Sequence, residues 1–435
     1  MTELPVVVVG AGPIGLATAA HLRERALDVV VLERGDRAGA AVREWSHVRL
    51  FSPWSELVDP AAARLLDAVG WDSPDAARFP TGGDWADRYL DPLAEALGDV
   101  VRLRHEVTGV TRLDRDVMVD SGRDEAPFVV HVRTPQGDLR LRARAVVDAS
   151  GTWSGTGPLG GDGRPAVGER EASDRVSYRV PDLADPVTRE RYAGRHVVVA
   201  GTGASAKTAL IGLARLPGAR VTWLVRRAAV GDAFGGGEQD QLSQRGALGE
   251  QARAVVSGDG VTTVTGFRTE RVERTGERLA VVASDGRRVE DVDEVVALTG
   301  FRPDLSFLGE VRLDLDPRLQ APRALAPLID PNVHSCGTVY PHGVRELEQP
   351  ERGFYPVGMK SYGRAPSFLA LTGFEQARSV AAALAGDREA AERVELVLPE
   401  TGVCGGAGTF DDAPTTGGCC SVPAGPALVQ LGRAD

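Results

Sequence analysis

With 435 residues the chain can hold two or three domains and bury a large core. A net charge of −11 and a pI near 5.3 argue against a polyanionic partner, and four cysteines in such a length do not make a disulfide framework. No window of about 18 residues is apolar without charges, and no basic region precedes a long apolar run at the start, so a soluble cytoplasmic protein is expected.

Residues 6–34, VVVVGAGPIGLATAAHLRERALDVVVLER, read as a buried strand, a Gly-rich turn, a helix and a second buried strand ending in an acid. Gly10 makes the tight turn, Gly12 lets backbone approach a pyrophosphate, and Gly15 lets the helix pack closely on its strand. Pro13 and Ile14 open the helix, whose positive end faces the pyrophosphate. Glu33, 23 residues after Gly10, is placed to accept from ribose hydroxyls and disfavours a 2′-phosphate; Arg34 follows at the same rim.

Residues 35–51 leave this unit through a Gly/Ala-rich loop carrying Arg43 and Arg49, which either pair a cofactor phosphate or are surface charge. Residues 60–69 and 83–97 pattern as helices, with Thr81 and Asp84 as capping candidates. Residues 100–110, including Val107 as a cofactor-side position, 128–132 and 139–149 read as strands, the last two joined by a turn at 135–138. The third strand ends in a corner of small residues with Ser150 and Gly151. A similar corner, with Thr299 and Gly300, recurs after Val295.

The repeat becomes plain at residues 196–227, HVVVAGTGASAKTALIGLARLPGARVTWLVRR. Gly201, Thr202 and Gly203 match the first turn, Ala204 and Ser205 open the helix, and Ala206 replaces Gly15. Val225 falls opposite Glu33, and Arg226 and Arg227 follow at once. Two guanidiniums without an acid suit a 2′-phosphate and predict NADPH over NADH. The plainer alternative is exposed arginine in a chain whose 50 basic residues include only two lysines, Lys207 and Lys360. Two such units imply two nucleotides that meet, one reducing the other.

The two fingerprints and the corner at 299–303 resemble the two-dinucleotide-binding flavoproteins, and within them the flavin-containing and N-hydroxylating monooxygenases. LFSPW at 50–54, GMKSYGRAPSF at 358–368 and PETGVC at 399–404 further resemble the flavin-dependent monooxygenases of bacterial arsenic-resistance operons. The resemblance implies an α/β fold of two Rossmann-like domains, each with a β-meander. FAD would be bound by 1–155 and 323–398, NADPH by 156–322, and a disordered tail would follow at 399–435. It also implies that NADPH reduces FAD and that one oxygen of O2 passes, through a C4a-(hydro)peroxyflavin, to a small soft or amine-like substrate such as an arsenical.

Two departures from the pattern stand out. No His occurs in 168–181, so a Baeyer–Villiger reaction is not expected. Met359 stands where the family commonly has an Asp for the ribityl chain, leaving main-chain amides near 367–378 to meet the flavin. Lys360 in this motif and Arg302 in the second corner are the catalytic candidates, Lys360 as a cation favouring anionic reduced flavin or else an ordinary surface lysine. Tyr362 and Arg364 are substrate-pocket candidates.

No HExxH, GxSxG or paired CxxC is present, and Cys336 stands alone and reads as an inert thiol. Helical patterning over 374–393 is followed by a Gly-, Pro- and Thr-rich tail with Cys404, Cys419 and Cys420. These could gather as soft ligands around a metalloid, or be incidental thiols. The alternatives to an oxygenase are an NADPH-dependent flavin reductase or oxidase acting through the tail thiols, and a non-enzymatic flavin-bearing metalloid binder or redox sensor. Partners are a small-molecule substrate and O2, with no nucleic acid or membrane.

Overall fold

The structure, a computed structural model, describes residues 4–396 apart from 236, 238, 239, 241, 333–341 and 367. Two five-stranded parallel sheets organise it. The first runs in the order Phe354–Pro356, Ala145–Asp148, Val6–Val9, Val29–Leu32, Val101–Arg102; the second runs Val261–Thr265, Arg220–Val225, His196–Ala200, Glu294–Ala297, Val176–Ser177. In each, the strand before the Gly-rich turn sits at the centre, as Val8 pairs with both Val31 and Val147, and Val199 with both Trp223 and Val296. The unbroken valine run of Val6–Val9 suits this place, because parallel strands are covered on both faces.

Helix Pro13–Glu24 starts with Pro at its first position, where no amide is needed, and buries every residue from Ile14 to Leu22. It is enclosed by helices Pro60–Asp67 and Ala370–Leu384 as well as by its own sheet. The expected capping box forms, Thr81 Oγ1 accepting from the Asp84 amide and Asp84 accepting from the Thr81 amide. The helix it opens passes through a π turn at Ala86–Leu90 before Asp91–Leu97.

A three-stranded meander follows each crossover: Glu106–Arg112, Phe128–Thr134 and Gly137–Ala143 in the first, Thr269–Thr275, Arg278–Ala283 and Arg288–Val292 in the second. Three expected elements divide. Residues 100–110 split between the first sheet and its meander at Arg104, which has φ 58°; residues 139–149 split likewise between Ala143 and Ala145; and the helix over 374–393 breaks at Gly386, with φ 81°. A run of apolar residues does not say which sheet each half joins.

The first meander is anchored to the returning chain by a buried triad. Arg112 Nε lies 2.7 Å and Arg123 Nη2 2.6 Å from the two oxygens of Glu351, and all three side chains are almost wholly out of solvent. Arg112 also lies flat on Phe128, 3.7 Å from its ring centre.

The chain crosses between the sheets at the two small-residue corners, and the crossings are stitched together. Thr156 bridges Phe301, the Gly157 amide donates to Gly300 O at 2.7 Å, the Arg302 amide to Gly155 O at 2.6 Å, and Thr299 Oγ1 to Gly157 O at 2.7 Å. Among the described residues no helix is long and apolar enough to cross a membrane, and no group of three or more His, Cys, Asp or Glu is placed to hold a metal ion. Cys336, Cys404, Cys419 and Cys420 lie outside the described residues.

Candidate functional site

The first Gly-rich turn is built so that each glycine meets a different demand. Gly10 has φ 97°, and a Cβ there would come within 3.0 Å of Ala149 O in the neighbouring corner. At Gly15 a Cβ would fall 1.9 Å from Gly10 O, so the helix could not pack on the turn. At Gly12 a Cβ would meet nothing within 4 Å, leaving the open backbone at a helix start that a phosphate needs. Glu33 is nearly buried at the end of its strand and accepts from the amides of Ala11 and Gly35, each at 2.8 Å, one on each oxygen. Each oxygen keeps a lone pair for a ribose hydroxyl. The turn therefore fits a dinucleotide without a 2′-phosphate.

The second turn repeats this geometry. Gly201 has φ 117°, and its Cβ would lie 2.2 Å from Leu298 O, the counterpart of Ala149 O; Gly203, like Gly12, faces open space. Ala206 is fully buried in the place of Gly15, so this helix tolerates a methyl there. Thr202, Ala204 and Ser205 are half-buried along the turn and the helix start. Val225 is buried at the strand end, with Arg226 exposed and Arg227 half-buried just beyond. Among the described residues no acid takes the place of Glu33 at this strand end, where Val225 stands. This turn fits a phosphorylated nucleotide.

Lys360 is not a surface lysine: only 3 % of it is exposed. Its Nζ lies 3.3 Å from Asp148 Oδ2, donates to Ser150 Oγ at 3.1 Å and to the Asp304 carbonyl, and sits 4.9 Å from the Phe307 ring centre. Asp148 in turn accepts from the Ser150 amide, so Lys360 fixes the corner against which Gly10 packs. Ile14 meets Gly358 and Gly373, bringing helix Ala370–Leu384 onto the first turn. Met359, half-buried, begins the single turn Met359–Tyr362.

Several candidates fall elsewhere. Arg43 is held by Asp87 and Asp91 at 2.6 and 2.7 Å, and Arg49 donates to the Phe79 carbonyl, so both guanidiniums are engaged by protein rather than offered to a phosphate. Arg302 donates to Gly163 O at 2.9 Å; burial, then the nearby guanidiniums of Arg364 and Arg164, lower its proton affinity. Val107 is half-buried in the meander, packed against its apolar cluster, and Arg34 is exposed. Gly151 and Gly300 take the left-handed turns of the two corners, with φ 67° and 97°. Tyr362 is fully buried against Phe368 and His342, and burial pushes its phenol well up. Arg364 is exposed.

Two groupings were not foreseen. Gln376, fully buried, accepts from the Gly358 amide at 2.7 Å and links Ser361 to His342. At the seam, Trp153 stacks on Phe301 at 5.0 Å, and the Arg179 guanidinium lies 3.8 Å from the Trp153 ring centre. The aromatics follow the two small-residue corners, which was the only signal available in the sequence.

The described geometry agrees with comparisons to known proteins. No curated protein sequence matches the chain. Among solved structures it is similar to a bacillithiol disulfide reductase from Bacillus cereus (20 % identity, 88 % of this chain and 99 % of that one, TM-score 0.64). It is also similar to an ornithine N-hydroxylase from Kutzneria sp. 744, solved with reduced FAD, NADP+ and L-ornithine (19 %, 89 % and 100 %, 0.57). A third is a flavin-containing monooxygenase from Stenotrophomonas maltophilia (21 %, 89 % and 99 %, 0.55). At these identities the likeness establishes the fold. The pyridine nucleotide-disulphide oxidoreductase family model matches residues 7–130 and 173–324, both Gly-rich turns included, and with well over half its length matched the chain belongs to that family.

Proposed function

We propose that the protein is an FAD- and NADPH-dependent monooxygenase, with FAD held by residues 1–155 and 323–398 and NADPH by 156–322. The observation that carries this is the duplicated cradle: Gly10 against Ala149 O and Gly201 against Leu298 O, on corners stitched through Gly157 and Gly300. Such an arrangement brings two nucleotides to one seam. Membership of the oxidoreductase family supports the redox reading.

When bound, the flavin supplies hydride acceptance and the activation of O2. The chain's own residues bind and orient. Gly12 and the start of helix Pro13–Glu24 would hold a pyrophosphate, Glu33 would accept from ribose hydroxyls, and Arg226 and Arg227 would hold a 2′-phosphate. Lys360, neutralised by Asp148, keeps the Ser150 corner in place rather than presenting an unpaired cation.

The motifs at 50–54, 358–368 and 399–404 support a small soft substrate, an arsenical being the first to test, and Cys404, Cys419 and Cys420 are the proposed metalloid ligands. The low cysteine count supports a cytoplasmic site. The deciding experiment mixes NADPH-reduced enzyme with O2 in a stopped-flow spectrophotometer. A lasting absorbance band before oxidised flavin returns, with oxygen from 18O2 found in product, is expected. Direct return to oxidised flavin with hydrogen peroxide as sole product would instead make the protein an oxidase or reductase.

A further inference from the structure

The two Gly-rich turns differ at one point that their shared motif does not explain. In the first, a Cβ at position 15 would lie 1.9 Å from the Gly10 carbonyl oxygen, so only glycine fits. In the second, Ala206 carries that Cβ and is wholly buried. The Gly201 carbonyl must therefore stand farther from its helix than the Gly10 carbonyl does, and something must hold it there. Trp223 is placed to do so, because its indole N–H donates to Gly201 O at 2.7 Å. We propose that Trp223 is the residue that positions the NADPH-binding turn, compensating for the methyl of Ala206. The inference rests on the reading of this turn as the NADPH site and adds the residue that sets the turn in place.

The duplicated unit supplies the control. Trp223 pairs with Val199, which stands two residues before Gly201, and Val31 pairs with Val8, two residues before Gly10, so Val31 is the counterpart of Trp223. Valine has no donor to offer, and the Gly10 carbonyl rests against Gly15 instead. The main chain records the difference. The amide of the tight-turn glycine reaches the carbonyl of the next strand at 2.7 Å in the first unit, Gly10 to Leu32, but at 3.4 Å in the second, Gly201 to Leu224. On the other side, a Cβ on that glycine would stand 3.0 Å from Ala149 O in the first unit and only 2.2 Å from Leu298 O in the second. The second turn is thus set over toward its corner with its main-chain tie to the next strand loosened, and the indole takes up that tie.

Trp223 is almost wholly buried in the same apolar cluster as Ala206, so its N–H needs an acceptor inside the protein. The strand that carries it ends at Val225, with Arg226 and Arg227 directly beyond, and its ring leans on Phe234, 5.9 Å away in the segment that follows them. One rigid side chain therefore joins the turn that would receive the pyrophosphate to the strand end that would receive the 2′-phosphate. Fixing both before the nucleotide arrives lessens the ordering cost of binding. Flavin binding at the first turn does not depend on it, since Gly15 and Val31 solve the same packing problem there without a hydrogen bond.

The test is isothermal titration of the flavin-loaded protein with NADP+, accompanied by flavin content and by anaerobic flavin reduction at varied NADPH. Trp223→Phe keeps a ring and removes the donor; it should retain flavin and weaken NADP+ by about five- to fiftyfold, the range for stranding one buried acceptor. The limiting rate of flavin reduction should change less than the Kd. Adding Ala206→Gly gives the second turn the glycine solution of the first and should bring NADP+ affinity back to within about threefold of the parent, a rescue that general loss of packing at Trp223 would not show. Should Trp223→Phe fail to retain flavin, Ala206→Val, which crowds Gly201 O from the helix side, should weaken NADP+ about tenfold in flavin-loaded protein. Parent-like affinity in Trp223→Phe, no recovery in the double variant, or parent-like affinity in Ala206→Val would each overturn the proposal while leaving the NADPH site standing. A parent protein that neither binds NADP+ nor is reduced by NADPH would overturn the site and the proposal together.

Discussion

Lys360 Nζ lies 3.3 Å from Asp148 Oδ2, and neither side chain reaches solvent beyond 2 %. One of only two lysines in the chain is thus a buried counter-ion at the corner that receives Gly10. Removing one partner strands a buried charge, which costs about 3–5 kcal/mol, whereas removing both does not. Lys360→Met should therefore lower the urea midpoint strongly, and Lys360→Met with Asp148→Asn should regain most of it. A single variant as stable as the parent would show that the pair is not a strut.

The glycines of the two turns should separate by what their Cβ would meet. Gly15→Ala collides with Gly10 O and should abolish flavin retention, or folding with it. Gly203→Ala meets nothing in the protein, so the folded, flavin-loaded enzyme should persist while the KM for NADPH rises about tenfold, worth about 1.4 kcal/mol. Flavin absorbance and steady-state kinetics check both.

Selectivity at the second nucleotide is expected to rest on Arg226 and Arg227. Replacing both with Ala should raise the KM for NADPH by about ten- to a hundredfold relative to that for NADH, the range for losing a charge-assisted hydrogen bond. Equal changes with the two cofactors would remove the 2′-phosphate assignment.

Acid should weaken the structure partly through Glu351. Burial acts to raise its pKa, but hydrogen bonds from Arg123 and Arg112 outweigh it and hold the carboxyl below its usual range. The folded pKa is depressed, so this stabilisation is complete above the unfolded value of about 4.3 and is lost as pH falls through the folded one. Glu351→Gln should melt lower at pH 7 and lose less stability than the parent on acidification below about pH 4.3. Parallel melting curves would remove Glu351 from the acid response.

Much of the fold was legible because its signals are local. Strand, glycine spacing, helix and strand recur in both units, and the acid at Glu33 has its absence at Val225 to match. What was not legible depends on meetings across sequence. Residues 100–110 read as one strand because nothing local says that Arg104 turns between two sheets. Arg43 and Arg49 looked available for phosphate because Asp87, Asp91 and the Phe79 carbonyl lie tens of residues away. Lys360 could not be told from a surface lysine without knowing that Asp148 lies against it. Gln376 carried no motif, and nothing in the corners that precede Trp153 and Phe301 says that the two rings meet.

The stitching of Thr156 to Phe301 and of Gly157 to Gly300 has a mechanical meaning. Two tethers joined side by side behave like the paired leaves of a door hinge: they leave one swing axis and resist sliding or splaying. If the nucleotide units turn relative to each other during a catalytic cycle, they turn about that line, and Trp153, Phe301 and Arg179 sit at its pivot.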